Sequence, residues 1–205
     1  LGMAAHLQGI GVSVLDMAGL AQKGGAVFSH VQIAARPEDL HATRIATGEA
    51  DLLIGSDLVV SAGAEALSKL RRTVTRAVIN DDVAPTSDFL RNPDWALPAD
   101  SLKRNILEAA GEQEIDFIEA TELAVALMGD TLMTNPLLLG YAWQKGWVPL
   151  QRVALERAIV LNGVAVEANR LAFEWGRRLA DDPAAVRRAA GLDTARSHQP
   201  PPQPV

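Results

Sequence analysis

Short apolar runs bounded by glycine and polar clusters alternate, along the first two thirds of the chain, with segments whose apolar residues recur every three to four positions. Leu1–Leu7 reads as the last turns of a helix closed by Gln8-Gly9. Val12–Met17 lies between glycines and reads as a buried strand. In Ala26–Ala34, Val27, Ser29, Val31 and Ile33 alternate with Phe28, His30, Gln32 and Ala34, the period of a strand with one largely apolar face. Arg36–Asp39 is a turn. Ala50–Gly55, Thr73–Asn80 and Ile115–Ala120 predict three more strands. Between them Leu58, Ala62, Ala66 and Leu70 recur at helical spacing behind the possible caps Ser56 and Asp57. Asp81–Pro98 is loop-rich, Ser101–Ala110 predicts a helix ending at Gly111, and Thr121–Met128 predicts another.

The remainder is helical only. Asn135-Pro136 reads as a helix start, asparagine at the cap and proline at the first position, with the helix running to Lys145 and stopping at Gly146. Leu150–Leu161 ends at Asn162-Gly163, Val164–Ala180 ends before Asp181-Asp182-Pro183, and Pro183–Ala190 forms a further short helix. Ser197–Val205 is a proline-rich tail. Strands alternating with helices predict an α/β fold: a mostly parallel sheet with helices on both faces and a helical C-terminal part. The expected division is residues 1–182 as the domain and 183–205 as short helix and linker.

Composition narrows the function. The 205 residues are 48% apolar and 21% charged, enough for one domain with its own core. There is no cysteine, which excludes disulfides, thiolate zinc sites, cysteine-ligated iron–sulfur clusters and a cysteine nucleophile in this chain, and suits a reducing, cytoplasmic setting. A net charge of −6 with scattered arginine doublets argues against nucleic acid, and no apolar run approaches a membrane span. The opening residues carry no signal-peptide pattern, and the chain is expected to have been cut from a longer one.

Candidate chemistry sits where a parallel sheet presents ligands, at the carboxyl ends of its strands: Asp16, Gly55-Ser56-Asp57, Asn80-Asp81-Asp82 and Glu119. Taken singly, each reads first as a helix cap or a loop-stabilising hydrogen bond. Asp16 would suit a nucleotide ribose only behind a glycine fingerprint, which Gly9-Ile10-Gly11 does not replace. The loop Gly19-Leu20-Ala21-Gln22-Lys23-Gly24-Gly25 combines paired glycines with an amide and a cation; it is either a contact surface for an anionic or polar group or a tight connection between strands. Ser29 and His30 are neighbours on a strand and point to opposite faces, so they do not form a catalytic pair. Histidines 6, 30, 41 and 198 lack ligand spacing, and no metal site is expected. Trp143, Trp147, Phe173 and Trp175 read as core, or alternatively as interface anchors.

The segments Val14–Val31 (VLDMAGLAQKGGAVFSHV) and Gly129–Gly140 (GDTLMTNPLLLG) resemble the gamma subunit, or gamma domain, of 2-oxoacid:ferredoxin oxidoreductases, and most of all the indolepyruvate-type enzymes. The resemblance runs from residue 1 to about 180. It implies a Rossmann-like domain in an enzyme that decarboxylates a 2-oxoacid, an aryl pyruvate such as indolepyruvate, to acyl-coenzyme A. Such enzymes use thiamine diphosphate, magnesium and iron–sulfur clusters, held mainly by other domains, and pass electrons to ferredoxin. The matching positions are Gly19, Gln22, Gly24 and Gly25 in the loop, then Ser29, His30, Thr134 and Asn135; with Lys23 they are expected to line the active-site side or help admit coenzyme A. The family's first strand and glycine turn are not found here, so the fragment is expected to be inactive and to fold poorly alone. Two other readings stay open: a non-catalytic assembly module of the same complex, and an independent nucleotide- or flavin-binding domain.

Overall fold

The computed structural model describes residues 1–18, 27–82, 99–111 and 114–192. Helix α1 (Gly2–Gln8) ends at Gly9, whose φ of 75° is the left-handed turn that glycine adopts without penalty. Strands β1 (Gly11–Ala18) and β2 (Val27–Ala34) pair antiparallel from Gly11↔Ala34 to Ala18↔Val27. Positions 19–26 are too few for the roughly dozen residues that a parallel crossover needs, so the two strands form a hairpin. This corrects the expectation of a buried strand at 12–17. The hairpin stands apart from the parallel sheet, and Val14 and Val27 are exposed.

The parallel sheet is β3 (Leu52–Gly55), β4 (Arg76–Asn80) and β5 (Ile115–Ile118), in the order β3-β4-β5. The middle strand begins later than its apolar run predicts. Residues ahead of it turn, Thr73 taking φ 64°, and buried Thr75 donates to the Ala50 carbonyl while accepting from the Arg71 amide. Alternation along β4 fixes the layers. Ala77 and Ile79 face one cluster with Leu58, Ile106 and Ala110; Val78 faces the other, with Leu123, Leu137, Leu138 and Phe173.

On the first face lie α2 (Leu58–Ser61), α3 (Ala64–Lys69) and α4 (Ala99–Ala110). The single helix expected through Leu58–Leu70 is broken at Ala62-Gly63, where Gly63 is extended and opens the second piece. Asp57, not Ser56, is the cap, accepting from the Val60 amide at 2.9 Å. After β5 come α5 (Ala120–Met128), a short 3-10 turn (Thr131–Met133) and α6 (Thr134–Gln144). The last begins one residue before Asn135, so that asparagine is not the cap. Its side chain is released for another partner, and Pro136 still falls in the first turn, where its missing N–H costs no helical bond.

Helices α7 (Arg152–Asn162), α8 (Val166–Asp181) and α9 (Pro183–Ala189) complete the second layer. Val186 of α9 is buried in the larger cluster. Asp182 caps α9 by accepting from the Ala185 amide at 2.9 Å. Asp182→Ala should therefore cost about 1 kcal/mol, read as a lower denaturant midpoint with unchanged slope. Among the described residues no helix is long and apolar enough to cross a membrane.

Candidate functional site

The loops that leave β3 and β4 meet the first turns of α5 and α6. Asn80, the last residue of β4, is 3% exposed and acts as the hub. Its Nδ2 donates to the Ser56 carbonyl at 3.1 Å and to Thr121 Oγ1 at 2.9 Å, and its Oδ1 accepts from the Thr121 amide at 3.1 Å. Thr121 Oγ1 lies 3.2 Å from Thr134 Oγ1, and Ser56 Oγ donates to Asn135 Oδ1 at 2.5 Å. Gly55 lets α2 approach the end of β3: a Cβ on it would stand 2.2 Å from the hydroxyl of buried Ser61.

Beside the network, Lys103 pairs with Asp81 at 2.6 Å, and Arg187 of α9 donates to Glu119. The arrangement joins two strand ends to two helix starts through neutral groups that satisfy one another. Its chemistry is that of a rigid polar platform, with no base–nucleophile pair among its five linked side chains.

The site residues read from the sequence fall into two groups. Thr134 and Asn135 belong to the platform, as do Ser56 and Asn80 from the strand ends. Ser29 and His30 belong to the hairpin, where Ser29 Oγ donates to Asp16 Oδ1 across the strand pair at 2.6 Å. Among the described residues no hydrogen bond links the two groups. Gly19, Gln22, Lys23, Gly24 and Gly25 lie outside the described residues. Thr121 is the member that sequence reasoning missed; its signal is a hydroxyl in the first turn after a strand. Asp16 is better described as the hairpin partner of Ser29 than as a ligand at a parallel-strand end.

His30 is 5% exposed and points away from Ser29, as strand alternation requires. Its Nδ1 accepts from the Ile45 amide at 3.3 Å, and its Nε2 has no partner among the described residues. Burial lowers its pKa; the positive charges of Lys69 and Arg44 act in the same direction and Glu65 opposes them.

A third polar cluster lies where β5 starts. Tyr141 donates its hydroxyl to Asp116 Oδ2 at 2.9 Å, and Lys145 Nζ is 3.2 Å from the same oxygen. Burial, then the Asp116 hydrogen bond and charge, push the phenol above its ordinary range. Tyr141 is the chain's single tyrosine. The folded protein should therefore show no phenolate absorbance at about pH 10–11, where the unfolded chain in denaturant titrates normally.

The tryptophans also resolve. Trp147 and Phe173 are buried, and Trp143 packs against the core with its indole N–H on the Leu150 carbonyl at 2.7 Å. Trp175 lies partly buried under the Arg178 guanidinium. Core packing, not an exposed anchor, describes the first three.

The family model for pyruvate ferredoxin/flavodoxin oxidoreductase matches residues 1–179. The chain belongs to that family. An oxidoreductase relative, indolepyruvate oxidoreductase subunit IorB of Methanothermobacter thermautotrophicus, is 28% identical over 155 residues, which cover 76% of this chain and 74% of the relative. Pyruvate oxidoreductase subunit PORC of Thermotoga maritima shares the fold with a TM-score of 0.55 at 16% identity, over 86% of this chain and 84% of that one. The oxidoreductase domain thus has the α/β fold its alternating pattern predicts, with a parallel sheet covered by helices on both faces and a helical C-terminal part.

Proposed function

We propose that this chain is the gamma-type part of a 2-oxoacid:ferredoxin oxidoreductase, with an aryl pyruvate such as indolepyruvate as the substrate of the whole enzyme. In that enzyme the 2-oxoacid is oxidatively decarboxylated to an acyl-coenzyme A and the electrons leave to ferredoxin, in the cytoplasm. The observation that carries the reading is the family match over residues 1–179; the aryl pyruvate rests on the 28% identity to an indolepyruvate oxidoreductase subunit.

The composition of this chain does not fit an iron–sulfur cluster. Cluster ligation needs thiolates and there is no cysteine. Among the described residues no three His, Asp or Glu side chains are grouped to hold a magnesium ion. As part of the same proposal, thiamine diphosphate, magnesium and the clusters are held by partner domains or subunits. The part proposed for this chain is to present polar surface to them: the exposed Ser56 and Asn135 at the edge of the platform and Ser29 on the hairpin, with Gln22 and Lys23 of the Gly19–Gly25 stretch proposed to help admit coenzyme A.

The test uses the assembled enzyme. Gln22→Ala and Lys23→Ala together should raise the Michaelis constant for coenzyme A several-fold while leaving that for the 2-oxoacid unchanged. An unaltered coenzyme A constant removes the loop's role. Turnover of pyruvate but not of indolepyruvate by the wild-type complex removes the aryl assignment. Oxidation of an arylpyruvate by the isolated chain removes the division of labour.

A second reading, a purely assembling module, is favoured by exposed apolar side chains. Leu132, 74% exposed, stands just ahead of the platform residues Thr134 and Asn135, and Val153 and Val164 are exposed around α7. Deleting the domain separates the two readings. Lost assembly with chemistry retained in the remaining subunits favours the second.

A further inference from the structure

The segment between the hairpin and β3 is fastened at several points. At its far end the Gly48 and Ala50 amides donate to the Ser68 and Lys69 carbonyls of α3 and its edge. In its middle Arg44 pairs with Glu65 of α3 at 2.7 Å, and Lys69 reaches the same carboxylate at 3.4 Å. The Ile45 amide, one residue on, donates to His30 Nδ1 on β2. The imidazole is thus a hydrogen-bonded join between the hairpin arm and the segment that leads into the sheet.

That join works in one protonation state only. An amide N–H donating to Nδ1 requires a lone pair there, so the neutral ring carries its proton on Nε2. Nε2 is buried and has no acceptor among the described residues. Protonating Nδ1 would set two donors against each other at Ile45 and add a buried charge. Among the described residues the charged groups around the ring are Arg44 from the connecting segment and Lys69 and Glu65 from α3. On the hairpin itself the cross-strand partner is Leu15, and the neighbouring Asp16 is turned to Ser29 on the other face. With two cations sharing one carboxylate, the surroundings do not welcome a third positive charge.

We propose that His30 is a pH-dependent latch: as the neutral ring it holds the hairpin to residues 40–48, and its protonation releases that segment. Burial and the nearby cations hold the ring's pKa below its ordinary value. The latched form binds fewer protons than the released one, so the latch is at full strength above the ordinary imidazole value of 6.5 and weakens as pH falls from there through the lowered value.

Hydrogen–deuterium exchange on the full assembled enzyme tests this, read as protection factors corrected for the chemical rate. Between about pH 7.5 and about pH 5.5, a range around the imidazole titration, protection over residues 40–48 should drop several-fold while α8 stays unchanged. His30→Asn keeps an acceptor facing Ile45 but does not titrate, and its segment should stay protected at both pH values. His30→Phe, with no acceptor, should hold the segment at both pH values at the lowered protection of the acidic wild type. Equal protection of the wild type at the two pH values would overturn the proposal whether or not the variants fold. So would a pH response that survives in folded His30→Asn.

Discussion

Gly176→Ala is expected to lower the thermal midpoint by about 10 °C, from a loss of about 3 kcal/mol at roughly 2–4 °C per kcal/mol for a domain of this size. The cause is the crossing of α6 and α8. A methyl on Gly176 would stand 1.9 Å from the Leu137 carbonyl oxygen, and one on Gly140 would stand 2.0 Å from that of Phe173. Neither obstacle is the end of a flexible side chain. Both are backbone, so relief requires the two helices to separate, and that uncovers Leu137, Leu138, Tyr141 and Phe173, which the contact buries. Gly163 provides the contrast. It ends α7 at φ 71° with nothing within 4 Å of an added Cβ. Gly163→Ala should cost only about 1–2 kcal/mol, from backbone conformation alone. Calorimetry on both variants checks the difference; equal shifts would mean that close packing is not what Gly176 provides.

The second large effect is expected at Asn80. Asn80→Asp keeps the oxygen that accepts from the Thr121 amide but replaces the donating nitrogen with an acceptor aimed at the Ser56 carbonyl and Thr121 Oγ1. The Ser56 carbonyl then loses a donor and faces a carboxylate at a position 3% exposed. A cost of about 2–3 kcal/mol at pH 7 follows from a buried acceptor left unpaired beside a charge. The substituted carboxyl is held neutral more readily folded than unfolded, so its folded pKa is raised. Part of the loss should accordingly return as pH falls toward that raised value, because the protonated acid can again donate. Chemical denaturation of this variant at pH 7 and at about pH 5 reads the effect; a midpoint difference from wild type that does not narrow on acidification would place the cost elsewhere. In the assembled enzyme the same substitution should reduce turnover if the platform supports a neighbour's active site, as proposed here.

How far the fold could be read from residues differs by region. The three parallel strands and the C-terminal helices were legible because continuous apolar runs and helical spacing survive in the sequence, and Gly146 and Gly163 follow the ends of α6 and α7 with positive φ as expected. The boundaries at 73–75, 62–63 and 134 were not. In each case a local signal was overruled by a tertiary partner or a competing turn: Thr75 bonding to Ala50, the extended Gly63, and the 3-10 turn from Asp130 that starts α6 before Asn135. At the candidate site, Ser56, Asn80, Thr134 and Asn135 stood out as polar residues at strand and helix ends. That they form one network, through Thr121, could not be read from spacing, since the partners lie up to 79 residues apart.

By itself, then, the sequence determined the alternation of strands and helices, the absence of thiol chemistry, and the family likeness carried by the segments around 14–31 and 129–140, because these depend on residue type and local period. Tertiary structure decided which face of β2 is buried and which polar side chains meet. Those outcomes depend on contacts between distant segments, where a helix approaching within a glycine's width or a threonine arriving from another loop decides whether a polar atom is satisfied.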